Sequence, residues 1–293
     1  DFCLSCHNPK LGKAETKPGS EGVGCAFCHA IKDVKIGQRP TPFVLSTDNT
    51  KYGPTADLVS KAHPIVQSDL FSNSKLCAGC HEYKNDAGLP ILSTYSEWKE
   101  SGLESEDTHC QSCHMAQVSG NIVDPKIVRT GTGKINVHKF TGGYNAQQLN
   151  DAVKVDVTDI IREGKSLTLN VSIANSGAGH YFPTGMPTRR VEAEVKAGCG
   201  KGSQQVKRQI LRREFLDAKG NPVWSAADIF TNATTLKSDT RLRPNETRAF
   251  TFNFEVPNNK SCRLEIRLIY FDEPLPGKKK PHRSVFFQLT RNR

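Results

Sequence analysis

The chain has 293 residues, 36% hydrophobic and 24% charged. That is enough for about two domains with a core each, so a disordered chain is excluded. No stretch approaches the roughly 18 consecutive apolar residues of a membrane helix, and the chain starts at Asp1 without a basic, apolar leader, so an already processed protein with no membrane span is expected. The formal charge of +10 lies in the second half, since residues 1–145 hold 15 Lys+Arg against 15 Asp+Glu and residues 146–293 hold 25 against 15; only Lys278, Lys279 and Lys280 form a run, so no nucleic acid partner is expected.

In chain order, eight of the ten cysteines come before residue 115, in four copies of one pattern. These are Cys3, Cys6 and His7; Cys25, Cys28 and His29; Cys77, Cys80 and His81; and Cys110, Cys113 and His114. At C-x-x-C-H spacing each thiol adds to one vinyl group of a porphyrin, and the following imidazole comes beneath to the iron. A zinc half-site or a redox dithiol does not require that histidine. Four covalent haem c groups are expected, with His7, His29, His81 and His114 as proximal iron ligands. The motif spacings of 22, 52 and 33 residues describe a haem array rather than an equal-length repeat.

The sixth iron position separates carrier from enzyme. Beyond the motif histidines there remain His63, His109, His138, His180 and His282, against only Met115 and Met186, so the arithmetic favours bis-histidine coordination. His63 precedes Pro64, which keeps its backbone extended. His109 abuts Cys110 and is thereby held beside a haem. His138 comes shortly before Gly142 and Gly143. His180 is in a Gly-rich turn whose small residues would let a flat macrocycle approach the backbone. His282, after Pro281 and three lysines, reads as an exposed loop residue. Up to about residue 147 only brief helices are expected, around 68–83 and 95–101, because the porphyrins themselves serve as the apolar core of this first domain, 1–147.

From Ala152 the pattern changes to period two: Val153, Val155, Val157; Leu167, Leu169, Val171, Ile173; Val191, Ala193, Val195. Strands near 205–216 and 222–230 flank a hairpin loop at Asp217–Asn221. Phe250, Phe252, Phe254; Leu264, Ile266, Leu268; and Val285, Phe287, Leu289 complete seven or eight strands, so domain 148–293 is expected to be an all-β, immunoglobulin-like sandwich. Cys199 and Cys262 are expected to form a disulfide, since c-type haem is attached outside the cytoplasm. Arg189 and Arg190 read either as propionate partners or as a strand-face pair.

Residues 22–29, His63 with 75–81, Thr94–Trp98, 110–115, 138–143, 178–185 and 187–190 resemble a broad family of multihaem c-type cytochromes. The likeness covers about residues 3–190. It implies His63, His138 and His180 as distal ligands and electron transfer rather than catalysis; it is silent on His109. Within the family the chain looks most like the tetrahaem protomers of extracellular cytochrome filaments. That resemblance implies copies of itself as partners, with a histidine supplied from one chain to iron in the next as one arrangement, and an extracellular electron acceptor. The alternatives are a soluble periplasmic tetrahaem shuttle and, behind it, a multihaem oxidoreductase with one open haem; no other catalytic motif is found.

Overall fold

A computed structural model describes residues 6, 23–37, 42–56, 58–120, 133–200, 204–272 and 281–293. Cys3, His7 and the lysines at 278–280 lie outside the described residues. The chain forms two compact units, Asp1–Tyr83 with Gly102–Phe140, and Lys84–Ser101 with Thr141–Arg293.

In chain order the elements before residue 140 are α1 (Cys25–Cys28), β1 (Ile31–Val34), β2 (Phe43–Leu45), β3 (Lys51–Gly53), β4 (Ile65–Gln67), α2 (Lys75–His81), β5 (Glu82–Lys84), β6 (Pro90–Ser93), α3 (Thr94–Glu100), α4 (Cys110–His114), β7 (Gln117–Ser119) and β8 (Lys134–Asn136). The strand pairs of the first unit are short: β1 with β2 and β7 with β8 antiparallel, β3 with β4 parallel. Its helices, of four to seven residues, are far below the length that is stable alone, so tertiary contacts must hold them. Those contacts are few. Phe27, Ile31 and Val34 are the buried apolar cluster, with Phe43, Leu45, Leu70 and Leu76 against it. Phe27 meets Phe43 edge-on at 5.1 Å. Phe43 also lies on α2 where a Cβ on Gly79 would come within 2.3 Å of its ring, so the third C-x-x-C-H motif needs glycine there.

The second unit builds its core from two antiparallel sheets. After α5 (Ala146–Ala152) come β9 (Val153–Glu163), β10 (Ser166–Asn175), β11 (Arg190–Cys199), β12 (Gln205–Leu211), β13 (Arg213–Asp217), β14 (Pro222–Val223), α6 (Ala226–Asn232), β15 (Ala233–Asp239), β16 (Thr247–Glu255), β17 (Cys262–Asp272) and β18 (His282–Asn292). One sheet has the order β16-β10-β9 and the other β12-β11-β17-β18. Alternate residues of β10, β11, β16 and β17 share one apolar core, including Leu167, Leu169, Val171, Ile173, Val191, Val195, Phe252, Leu264 and Leu268. Period-two alternation thus becomes a sandwich, with the apolar set of each strand on the inner face. Cys199 and Cys262 face each other in the β11–β17 register and form a disulfide.

Three strand expectations need correction. The run 205–216 is two strands, broken at Arg212, because β12 pairs with β11 while β13 pairs with β14 and β15 in a separate small sheet. Most of 222–230 is not strand: Ser225 caps α6 by accepting from the Asp228 N–H at 3.1 Å, and the cap overrides the apolar pattern. On β18 a register shift opposite Leu268/Ile269 puts Phe286 into the core between Val285 and Phe287, the effect of one extra residue on a pleated strand. His282, expected in an exposed loop, begins β18 opposite Asp272 and is half-buried.

The segment 84–101 packs with the sandwich. Asn85 Nδ2 donates to the Ala233 carbonyl at 2.7 Å, Arg213 Nη2 to that of Ile91 at 2.6 Å, and Glu97 pairs with Arg241 at 2.7 Å.

Candidate haem-binding site

Among the described residues, three of the four motifs are complete and each lies on a short helix: α1 carries Cys25 and Cys28, α2 carries Cys77, Cys80 and His81, and α4 carries Cys110, Cys113 and His114, with His29 at the end of α1. One helical turn puts the two thiols of each motif on one side, with the histidine next along it.

The α2 motif is the meeting point of the others. Cys77 hydrogen-bonds to Cys110 of α4, and Cys80 to Cys6 of the first motif. Those bonds, then burial, push the Cys77 and Cys80 thiols up, and the bond from Cys77 holds Cys110 below the ordinary thiol range. Cys28 is close enough to act electrostatically on both Cys77 and Cys80. The cysteines pair across motifs instead of closing on one point. Among the described residues no three His, Cys, Asp or Glu side chains converge as a zinc site would demand.

Three histidines share one hydrogen-bond pattern. His29 Nδ1 meets the Tyr52 carbonyl at 2.6 Å, His63 Nδ1 that of Pro64 at 3.2 Å, and His180 Nδ1 that of Tyr181 at 3.0 Å. A carbonyl only accepts, so in each case Nδ1 carries the proton and Nε2 the lone pair, the tautomer of an Nε2 metal ligand. Phe71 stacks on His29 at 5.3 Å with the rings 14° apart, which fixes the imidazole plane. The ring of His138 lies 6.2 Å from that of His29, centre to centre, and Phe140 meets it edge-on.

His109 departs from this pattern. The Ser74 N–H donates to its Nδ1 at 3.4 Å and the Ser74 hydroxyl is at 3.1 Å, while Nε2 faces Asp107 at 3.3 Å. Ser74, fully buried, also accepts from the Cys110 N–H at 3.1 Å. His109 thus belongs to the scaffold that sets the start of α4. His282 lies between Tyr144 and Tyr270 in the second unit, with its Nε2 buried and without a hydrogen-bond partner.

In the second unit the His180 turn is fixed on several sides. Asn175 Nδ2 donates to the His180 carbonyl at 2.8 Å, and Phe182 exchanges backbone bonds with Leu242 at 2.8 and 3.0 Å. Within this turn Gly177 packs against backbone: a Cβ there would lie 2.0 Å from the Asp151 carbonyl. Arg189 pairs with Asp272 at 3.0 Å, and Arg190 pairs with Glu192 at 3.0 Å and lies 4.2 Å from the centre of the Phe271 ring. Arg190, the first residue of β11, fits the strand-face reading, whereas Arg189 lies in the turn before that strand.

Glu97 is the residue that motif reading overlooked. It is 4% exposed and accepts from Ser93 Oγ (2.8 Å), Arg241 Nη1 (2.7 Å), the Tyr181 N–H (3.2 Å) and Thr184 Oγ1 (2.6 Å). Burial pushes its carboxyl up, but Arg241, Thr184 and Ser93 outweigh burial and hold it below the usual range. The available signal was its place in Thr94–Trp98, a run that stands out in the sequence yet holds no metal ligand.

The donor set fits covalent haem: paired thiols one turn apart, a following imidazole, and two distal candidates, His63 and His180, in the ligating tautomer. The comparisons agree at the level of fold. A penta-heme cytochrome c552 from Thermochromatium tepidum superposes with a TM-score of 0.74 at 20% identity, covering 99% of this chain and 83% of that one. The chain has a multihaem cytochrome c fold. A second solved chain, a structural-genomics target, reaches a TM-score of only 0.19 at 11% identity over 48% of this chain and 87% of its own, and nothing rests on it. No protein-family model matches the sequence, and no curated protein matches it.

Proposed function

We propose that this protein transfers electrons through four covalently held, bis-histidine haem c groups and is the repeating subunit of an extracellular conductive filament. The observation that carries the reading is the proximity of the His29 and His138 rings. Two imidazoles on one iron place their ring centres about 6 Å apart, from about 2 Å per metal bond plus the distance from nitrogen to ring centre on each side. The measured separation is 6.2 Å.

When bound, c-type haem supplies a one-electron iron centre. The chain's own residues do the rest. Cys3, Cys6, Cys25, Cys28, Cys77, Cys80, Cys110 and Cys113 hold the groups, and His7, His29, His81 and His114 ligate from one side. His63, His138 and His180 ligate from the other, each occupying the position a substrate would need. His109 is the fourth distal ligand in this reading; to bind iron through Nε2 it would give up the bond that Nδ1 accepts from the Ser74 N–H as well as its contact with the exposed Asp107, because Nδ1 would then have to carry the proton. The alternative for that position is a histidine supplied by a neighbouring copy. The cross-motif cysteine contacts on α2 support a closely spaced array, since side chains that touch across motifs leave little protein between neighbouring attachment points.

The second unit is immunoglobulin-like in this reading. Three strands, β9, β10 and β16, against four, β12, β11, β17 and β18, with the chain crossing from one sheet to the other between β10 and β11 and between β16 and β17, support it. The filament, its extracellular location and self-association rest on the sequence resemblance.

Pyridine haemochrome analysis and oxidised-state EPR test the electron-transfer reading: four haems per chain, all low-spin, are expected. Fewer than four, or a high-spin signal from a quarter of the iron, would overturn it. Negative-stain microscopy tests the filament: threads support it, and discrete small particles place the protein as a soluble shuttle.

A further inference from the structure

The Gly-rich turn that carries His180 is held by nearby residues and also by a side chain more than eighty residues away. One oxygen of Glu97, Oε2, accepts from the Tyr181 N–H at 3.2 Å and from Thr184 Oγ1 at 2.6 Å, so it brackets residues 181–184. The other oxygen, Oε1, accepts from Ser93 Oγ and Arg241 Nη1. Arg241 is itself 6% exposed, pairs with Asp239 at 2.7 Å, donates to the Pro183 carbonyl at 3.4 Å and lies 4.9 Å from the centre of the Tyr181 ring. Tyr181 in turn presents the carbonyl that orients His180 Nδ1. The chain of contacts therefore runs from Arg241 through Glu97 to the Tyr181 backbone and the His180 imidazole, all within the second unit.

A buried ion pair is weak evidence of stabilisation, because well-packed apolar side chains of similar volume serve a fold as well or better. What such side chains cannot supply here is acceptors. A backbone N–H, two hydroxyls and a guanidinium all point at this site, and only an ionised carboxylate offers acceptor capacity on both oxygens. Glutamine has nearly the same shape but would turn an NH₂ towards two of those donors. The demand is for geometry at the 181–184 turn, and the side chain whose direction depends on that turn is His180.

We infer that Glu97, fixed by Arg241, is a positioning residue that holds the His180 imidazole in place to ligate iron. The inference rests on the reading of His180 as a distal ligand. Loss of one hydrogen bond to a charged group shifts an equilibrium by about tenfold or more. Glu97→Gln therefore raises the fraction of one haem with its distal ligand detached by about that factor.

The test uses the holoprotein with haem content verified for each variant, titrating the reduced form with carbon monoxide and recording the ferric spin state. His180→Ala is expected to take up one more carbon monoxide per chain than wild type. Glu97→Gln is expected to open the same haem in part, with uptake at least tenfold faster than wild type and a matching high-spin signal. Thr184→Val keeps the shape and removes one arm of the bracket; it is expected to show the same change more weakly and serves if Glu97→Gln does not fold. If His180→Ala binds no additional carbon monoxide, the ligand reading fails and the inference with it. If His180→Ala responds but Glu97→Gln and Thr184→Val merely unfold at lower temperature with uptake unchanged, the ligand reading stands and the positioning role is refuted.

Discussion

Replacing His138 by alanine isolates one face of one iron. His29, opposite it, is held independently of His138: its Nδ1 is tied to the Tyr52 carbonyl at 2.6 Å and its ring is stacked on Phe71. His138 is an exposed coil residue just after β8 and belongs to neither apolar cluster, so its removal opens no core cavity and is expected to cost the fold no more than about 0.5 kcal/mol apart from the lost metal bond. Cys25, Cys28 and His29 remain, so haem content stays at four per chain. The reduced variant is expected to bind one carbon monoxide per chain beyond wild type, and about a quarter of the ferric iron becomes high-spin. Carbon monoxide uptake is counted by titration at the Soret band, with EPR for spin state. Uptake unchanged from wild type at full haem content would refute the argument, because it would mean that 6.2 Å separation marks two neighbouring histidines and not two ligands of one metal.

Three other changes probe different parts of the molecule. Cys199→Ala with Cys262→Ala opens a covalent loop of sequence separation 63; loop-closure entropy assigns that link up to about 4 kcal/mol, so the sandwich should melt roughly 10 °C lower with an unchanged Soret band, and an unaltered melting temperature would show that the β11–β17 register carries the stability alone. His109→Ala is expected to add one carbon monoxide per chain; a count equal to wild type would assign the fourth distal position to a neighbouring copy. In acid, burial raises the Glu194 and Asp239 carboxyls, but Arg267 and Arg208 for the first and Arg241 for the second outweigh it and leave both below their ordinary values. A depressed folded-state value means stability present at neutral pH that is lost as pH falls from about 4 downward through the folded values, so the chemical-denaturation midpoint should drop below pH 4 and the drop should be shallower in Glu194→Gln, whereas equal slopes would remove Glu194 from the account.

Residues whose chemistry is local were legible in sequence, and residues whose role depends on distant partners were not. C-x-x-C-H needs only one helical turn to bring its donors together, and α1, α2 and α4 supply it. Strict alternation over Leu167–Ile173 or Leu264–Leu268 dictates which face is buried, and those residues are the sandwich core. The alternation misled where one residue was added, at Phe286, since a bulge reverses the inward face without changing composition. It also misled at 222–230, where the Ser225 cap selects helix. Glu97 was invisible as a structural centre because its charge partner Arg241 is 144 residues away, and nothing in Thr94–Trp98 announces a partner so distant in sequence.

The two units differ in what can hold them together, and that difference has a measurable consequence. In the second unit, buried side chains from two sheets form one continuous cluster that includes Leu149, Val195, Phe254 and Ile266. Among the described residues the first unit's apolar cluster has three buried members, Phe27, Ile31 and Val34. At about 25 cal/mol per Å² these three side chains supply only part of what ordering the backbone demands, about 1–2 kcal/mol per residue. In the proposed reading the haem groups joined to the cysteines add apolar surface to this unit, so its folding is coupled to their attachment. The full chain produced in cells without haem attachment is expected to keep its β-sheet circular dichroism and protected amides across β10, β11, β16 and β17, while amides of α1, α2 and α4 exchange at unfolded rates. Protection of those helices at the level of the sandwich would show that the first unit folds on its own polypeptide, and would remove the energetic argument for porphyrin as its core.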